Sequence, residues 1–294
     1  MSLPSINDRI FIMAERIHTL GEILDGFDVV LSDVWGVLHN GVAAFPDAAT
    51  ALQNARGAGK TVVLITNSPR PGPDVIAQLR ALGVPDSTYD QIITSGDVTR
   101  ELIRKGPKKV FLLGPDRDLS LLDGLGVELV SEQEAECVVC TGFFDDETET
   151  PQDYTDMLKG FVERQTLMIC ANPDLVVERG ERIIPCAGAM ALYYMQLGGQ
   201  VGIAGKPHKP IYDACLAAAE ELRGPFDRSR VLAIGDGMPT DVRGALSNGL
   251  ALLYVSGGIH ASEYVTAGET NIEALDAFLK REEAAPGWWI PRLA

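Results

Sequence analysis

Val29-Val30-Leu31-Ser32-Asp33-Val34-Trp35-Gly36-Val37-Leu38 is the stretch on which the reading of this chain turns. A short β-branched apolar run ends in a carboxylate, and a glycine follows at once. An apolar run of that length reads as a buried strand of a parallel sheet. Ligands of open α/β sheets bind beyond the carboxyl ends of such strands, where Asp33 would sit. Taken alone, an Asp after a strand is more often a helix cap or a turn former.

Outward from this segment, strand-like runs alternate with helical patterns, which predicts an α/β fold with a doubly wound parallel sheet. A helical stretch over Asp47–Ala58 precedes the strand Thr61–Thr66, and helices fit Pro73–Leu82 and Asp97–Lys105. Val110–Leu113 opens a second βα set, with Cys137–Cys140 and Leu167–Cys170 as its later strands. Val201–Ala204 reads as the return to the first pattern. The helix Ile211–Leu222 and the strands Val231–Ile234 and Ala251–Val255 follow it. Asp8–Leu24 is helix-like, and the tail Pro286-Gly287-Trp288-Trp289-Ile290 is expected to pack back on its own domain.

With 294 residues, 46% hydrophobic and 22% charged, the chain has room for one large α/β domain or two smaller ones. A net charge of -16 argues against a nucleic-acid partner, although a local site can still oppose that sign for a small anion. No apolar stretch approaches the roughly 20 residues that span a bilayer, so no membrane association is expected. There is no cationic segment leading into an apolar core, so no secretory signal is expected either. Five cysteines fit a reducing compartment, and the expected location is cytoplasmic. Cys137 and Cys140 lie three apart on a predicted strand and so face opposite ways, which suits buried free thiols better than a metal or a disulfide.

Four segments gain meaning together: Asp33; Val62-Val63-Leu64-Ile65-Thr66-Asn67-Ser68; Gly205-Lys206-Pro207; and Val231-Leu232-Ala233-Ile234-Gly235-Asp236-Gly237-Met238-Pro239-Thr240-Asp241. Singly, Thr66 reads as a helix cap, Lys206 as a surface charge, and Asp236 with Asp241 as a turn and a cap. At successive ends of one parallel sheet they would gather a nucleophilic carboxylate, a hydroxyl, a cation and two more acids. Phosphoryl transfer uses that set.

With these motifs the chain resembles the haloacid dehalogenase superfamily of aspartate-nucleophile phosphohydrolases, in its class IIA branch of nitrophenyl-phosphatase-like, phosphoglycolate-phosphatase-like and pyridoxal-phosphate-phosphatase-like proteins. Ala171-Asn172-Pro173-Asp174, Gly205-Lys206-Pro207-His208-Lys209-Pro210 and Phe45-Pro46-Asp47-Ala48 look like that branch specifically. The resemblance implies a Rossmann-like core from residues 1–105 and 200–294, with an inserted α/β cap at 106–199 that governs substrate selection. It implies that Asp33 attacks phosphorus to form an aspartyl-phosphate. Asp33, the backbone carbonyl of Trp35 and Asp236 would hold Mg2+, with Asp241 supporting that shell directly or through water. Thr66 and the amide of Asn67 would bind the phosphoryl oxygens, and Lys206 would neutralise charge beside the nucleophile. The partner implied is a small phosphorylated metabolite. A homodimer is one arrangement open to the chain, since cap-mediated dimers occur among such proteins.

One position departs from the pattern. Family phosphatases carry a second Asp two residues after the nucleophile, which protonates the leaving oxygen and then activates water. Here that residue is Trp35, whose indole has one weak donor and no base. General acid–base catalysis is worth roughly 10²–10⁴ in rate, so weak turnover is expected, least impaired for aryl esters. His39 is the nearby group able to substitute, although a lone His after a strand is more often structural. Two alternatives follow: a catalytically impaired phosphometabolite-binding protein, and a metal-independent dehalogenase, against which Asp236 and Asp241 argue. Asp145 and Glu147, in the acidic stretch Asp145-Asp146-Glu147-Thr148-Glu149-Thr150, are the candidate substrate-selecting residues, with a solvated loop as the alternative.

Overall fold

The computed structural model describes residues 14–294, and its chain is organised by two parallel sheets. Every residue of the strands Val29–Asp33, Thr61–Thr66 and Val231–Gly235 is buried. Val30, Val62, Leu64, Leu232 and Ile234 pack into one apolar cluster, while Val29, Leu31, Val63, Ile65, Val231 and Ala233 pack into another. A strand covered on both faces has no solvent side on which polar residues can alternate, which is why these segments read as unbroken apolar runs. The helices Pro46–Gly57 and Gly72–Ala81 cover one face. Lys209–Arg223, Arg243–Ser247 and Ile272–Arg281 cover the other.

The larger sheet has seven strands in the order Glu15–Arg16, Trp288–Ile290, Ala251–Val255, Val231–Gly235, Val29–Asp33, Thr61–Thr66, Gln91–Thr94. All of its pairings are parallel. The strand order reverses between Val29–Asp33 and Val231–Gly235, so the crevice used by doubly wound folds opens at their carboxyl ends. The smaller sheet has five parallel strands in the order Val201–Ile203, Leu167–Cys170, Cys137–Cys140, Lys109–Leu113, Glu128–Leu129. An antiparallel hairpin, Val176–Arg179 with Arg182–Pro185, lies between the Leu167–Cys170 strand and the helix Ala187–Gln196.

Two expectations are corrected. Val201–Ile203 does not return to the larger sheet; it pairs with Leu167–Cys170 at the edge of the smaller one. Strand, helix and parallel strand form one crossover unit there, and local patterning cannot tell that unit from a step back to the first sheet. Of the helix-like stretch Asp8–Leu24, residues 8–13 lie outside the described residues. The remainder forms the short strand Glu15–Arg16 and a 3-10 turn at Leu20–Glu22, with another at Leu24–Gly26. Parallel pairing of Glu15 and Arg16 with Trp288 and Trp289 outweighs helical propensity. The tail packs back as expected, with Trp288 edge-on to Phe27 at 5.8 Å. All five cysteines are free and buried, and Cys137 and Cys140 belong to clusters on opposite faces. No helix among the described residues is long and apolar enough to cross a membrane.

Candidate active site

Asp33 ends its strand and Asp236 follows the neighbouring one, so the sheet itself brings the two carboxylates together. Asp241 comes from the single turn Met238–Val242, where Gly237 N–H donates to its Oδ2 at 3.1 Å. Carboxylate oxygens of Asp33, Asp236 and Asp241 lie within 4.8 Å of one another, and all three residues are buried. Lys206 Nζ donates to Asp33 Oδ1 at 2.6 Å and to Asp241 Oδ1 at 2.8 Å. Gly36 closes the turn after Asp33 at φ +85°, and a Cβ there would fall 2.3 Å from Asp236 Oδ2. Only glycine satisfies both the left-handed backbone and that approach.

Three buried carboxylates against one ammonium is an unbalanced set. Burial, then the neighbouring Asp241, hold the Asp33 carboxyl well above its ordinary range, with Lys206 opposing. Burial, then Asp241, push Asp236 up to about 7, with the Ile259 N–H at 2.8 Å opposing. Burial disfavours the Lys206 ammonium, yet Asp241, Asp33 and Asp174 outweigh it and hold the group well above its ordinary value. A cluster of hard oxygen donors short of positive charge fits a small divalent cation. The Trp35 carbonyl, which accepts no hydrogen bond among the described residues, is a further oxygen of the same kind.

Lys206 reaches this cluster by a route that strand-end reasoning did not foresee. It follows the edge strand of the smaller sheet, and Asn67 at the end of a larger-sheet strand anchors it. Asn67 Oδ1 accepts the Lys206 N–H at 2.7 Å, and Asn67 Nδ2 donates to the Lys206 carbonyl at 3.2 Å and to Asp174 Oδ1 at 2.9 Å. The side-chain amide of Asn67 is therefore committed to positioning Lys206, which leaves its backbone N–H for a ligand. Thr66 is buried beside it, its hydroxyl accepting from Ser68 N–H at 3.2 Å.

Trp35 points its indole away from acid–base work. Nε1–H donates to the Glu178 carbonyl in the hairpin strand Val176–Arg179. A second bond, from Gly180 N–H to the Asn40 carbonyl at 3.1 Å, joins the same two segments. Gly41, at φ +82°, makes room for the ring, since a Cβ would lie 2.4 Å from Trp35 Cζ2. His39 is edge-on to Trp35 at 4.9 Å, and its Nδ1 accepts Gly41 N–H at 2.9 Å. Burial, then Arg70, lower the His39 pKa to about 4. A neutral, buried imidazole packed under the Trp35 ring is part of the turn.

Above the carboxylates lies a chamber of about 460 Å³, whose lining includes Asp33, Trp35, Thr66, Asn67, Lys206, Asp236 and Asp241. A smaller cavity of about 240 Å³, on the other side of Trp35 and Thr66, is lined by Arg70, Arg117, Arg179, Asp118 and Asp146 among others. Asp145 and Glu147 line neither. Asp145 accepts from Glu147 N–H and Thr148 Oγ1 within its own turn, and Glu147 pairs with Arg182 at 3.0 Å. Their neighbour Asp146 turns inward instead, held by Arg179 at 2.7 Å and Arg117 at 3.0 Å. Sequence reasoning also missed the Ile259 amide. Its signal was the Gly257-Gly258 pair, one residue beyond the end of the strand Ala251–Val255.

Comparison with known proteins agrees with this fold. A haloacid dehalogenase-like hydrolase family model matches residues 30–128, and a HAD-hydrolase-like model matches 203–278. A crystal structure of a haloacid dehalogenase-like family hydrolase from Brucella suis 1330 is 50% identical, with a TM-score of 0.85 over 95% of this chain and 99% of that one. Ribonucleotide monophosphatase NagD of Escherichia coli K12 is 25% identical over 90% of this chain and 96% of its own. The 4-nitrophenylphosphatase of Schizosaccharomyces pombe is 24% identical, covering 80% of this chain and 86% of its own. The chain belongs to the haloacid dehalogenase-like hydrolase family, in its class IIA branch.

Proposed function

We propose that this chain is a magnesium-dependent phosphomonoester hydrolase that acts on a small phosphorylated metabolite through an aspartyl-phosphate on Asp33. The observation that carries the reading is Lys206 Nζ bonded to both Asp33 and Asp241 at the floor of the chamber. A carboxylate nucleophile works when it is fixed in place and its neighbours' repulsion is contained, and this contact does both.

Lys206 holds Oδ1 of Asp33, which leaves Oδ2 to attack phosphorus. The bond from phosphorus to the ester oxygen breaks as the bond to Asp33 forms, and the alcohol or phenol departs as its anion. The Lys206 ammonium, the Thr66 hydroxyl and the Asn67 backbone N–H would neutralise and orient the phosphoryl oxygens. Water attacking the phosphorus then returns the Asp33 carboxylate and inorganic phosphate. Asp33, Asp236 and the Trp35 carbonyl, with Asp241 behind them, would hold Mg2+, which supplies further positive charge at the phosphoryl oxygens when bound. In this reading the unit of the smaller sheet, residues 106–199 with the edge strand Val201–Ile203, is the cap over the site.

Because the Trp35 Nε1–H is committed to a hydrogen bond with the Glu178 carbonyl, the leaving group departs without an acid. The same observation favours a second reading, a phosphometabolite-binding protein in which hydrolysis is slow. Phosphate release from a matched aryl and alkyl phosphomonoester, with and without magnesium, tests both. Metal-dependent release, stronger for the aryl ester and lost in Asp33→Asn, supports the hydrolase. Tight binding of both esters without release supports the binder, and halide release from an added 2-haloacid without metal would mark a dehalogenase.

A further inference from the structure

We infer that the chamber above Asp33 takes the uncharged, apolar body of a phosphate monoester, and this rests on the reading of the chamber floor as the phosphoryl site. The evidence is how the wall is built. On the helix Ala187–Gln196, Gly188, Ala191, Leu192 and Met195 share one face at helical spacing, and all four line the chamber. The adjoining side of that helix already has its core partners, since Ala187, Met190, Ala191 and Tyr194 are buried in the cluster of the smaller sheet, with Ala191 at the border of the two faces. Leu192 and Met195 remain 42% and 45% exposed, so the helix is apolar on a face that its own fold does not cover. From the hairpin side, Leu175 at 45% and Val176 at 40% exposure meet the same space.

Charge sharpens the assignment. Lys206 is the one lysine or arginine among the described residues lining this chamber, and two carboxylates hold it. Besides Lys206, the lining groups able to carry positive charge are His208 and His260, and burial lowers the His260 pKa. A second anionic group on the ligand would find no lysine or arginine of its own there, whereas the arginines lie in the smaller cavity beyond Trp35. The substrate class that fits is an ester whose alcohol is an alkyl chain or an unsubstituted aromatic ring. A sugar phosphate or a nucleotide would leave hydroxyls or charge unpaired against Leu175, Val176, Leu192 and Met195.

Binding and turnover separate this inference from the reading on which it rests. Straight-chain alkylphosphonates from methyl to hexyl are titrated into the full chain with magnesium, alongside a hexyl analogue ending in a carboxylate. Affinity is expected to rise about threefold to fourfold per methylene. The terminal carboxylate should cancel that gain. Met195→Glu should flatten the series, and Leu192→Ser should lower its slope. Arg70→Ala, in the other cavity, should leave it unchanged. A flat series in the wild-type chain, or tighter binding of the carboxylate-ended analogue, would overturn the assignment. If the series rises as expected but no ester is hydrolysed, the hydrolase reading fails while the chamber's preference stands.

Discussion

Lys206 carries two burdens at once: it fixes Asp33 and it keeps Asp33 and Asp241 from repelling each other. Removing it leaves buried carboxylates uncompensated, so Lys206→Met is expected to lower phosphate release by about 10²–10³, the usual effect of losing one charge-stabilising donor. Initial rates with the aryl ester measure this. His39 predicts something different, because its place is under a ring and not beside a substrate. The unfolded chain takes up a proton there below about 6.5, whereas the folded chain resists until about 4. Stability is therefore lost as pH falls through that window, by about 2 kcal/mol at pH 5 relative to neutrality. Urea unfolding at pH 5 and 7.5 should show this component in the wild-type chain and not in His39→Gln. Turnover at neutral pH should change little in the same variant. Equal losses in the two chains would contradict the buried neutral imidazole.

The turn after Asp33 and the hairpin Val176–Arg179 with Arg182–Pro185 behave as one element joined by the indole of Trp35. Trp35→Phe keeps a ring on Gly41 but orphans the Glu178 carbonyl, a loss of about 1–2 kcal/mol. Hydrogen exchange should quicken at Gly180, whose amide bonds to Asn40 across the same seam. Unchanged exchange there would mean that the seam does not depend on the indole. Among elements, those with buried apolar runs were legible in sequence: Thr61–Thr66, Cys137–Cys140, Leu167–Cys170 and Ala251–Val255 are strands with the expected bounds. The hairpin was not, because Val176–Arg179 is largely half-exposed and its pairing partner begins only three residues later. Nor was the edge role of Val201–Ile203, since a parallel strand carries no local mark of the sheet it joins.

At the scale of the molecule, a chain of net charge -16 gathers three carboxylates in one buried place and opposes them with a single lysine. A divalent cation bound there should stabilise the whole fold through mass action, by about 2.7 kcal/mol at one hundred times its dissociation constant. Thermal melts should rise on adding magnesium and fall back with chelator, and Asp236→Asn should abolish most of the rise. The members of this cluster were legible because each ends or follows a buried strand, or sits beside a glycine. What stayed hidden was how they meet: Lys206 arrives from the smaller sheet on the arms of Asn67, and Leu192 and Met195 form a wall from a helix that looks in sequence like plain core. Contacts across that much chain leave no periodicity behind. The most direct test of the central claim is to mix the chain with magnesium and an aryl phosphate, quench in acid, and map the phosphoryl group by peptide mass spectrometry. A phosphoryl adduct on Asp33, absent in Asp33→Asn, is the result this account predicts. Phosphate release persisting in Asp33→Asn, or an adduct on any other residue, would contradict it.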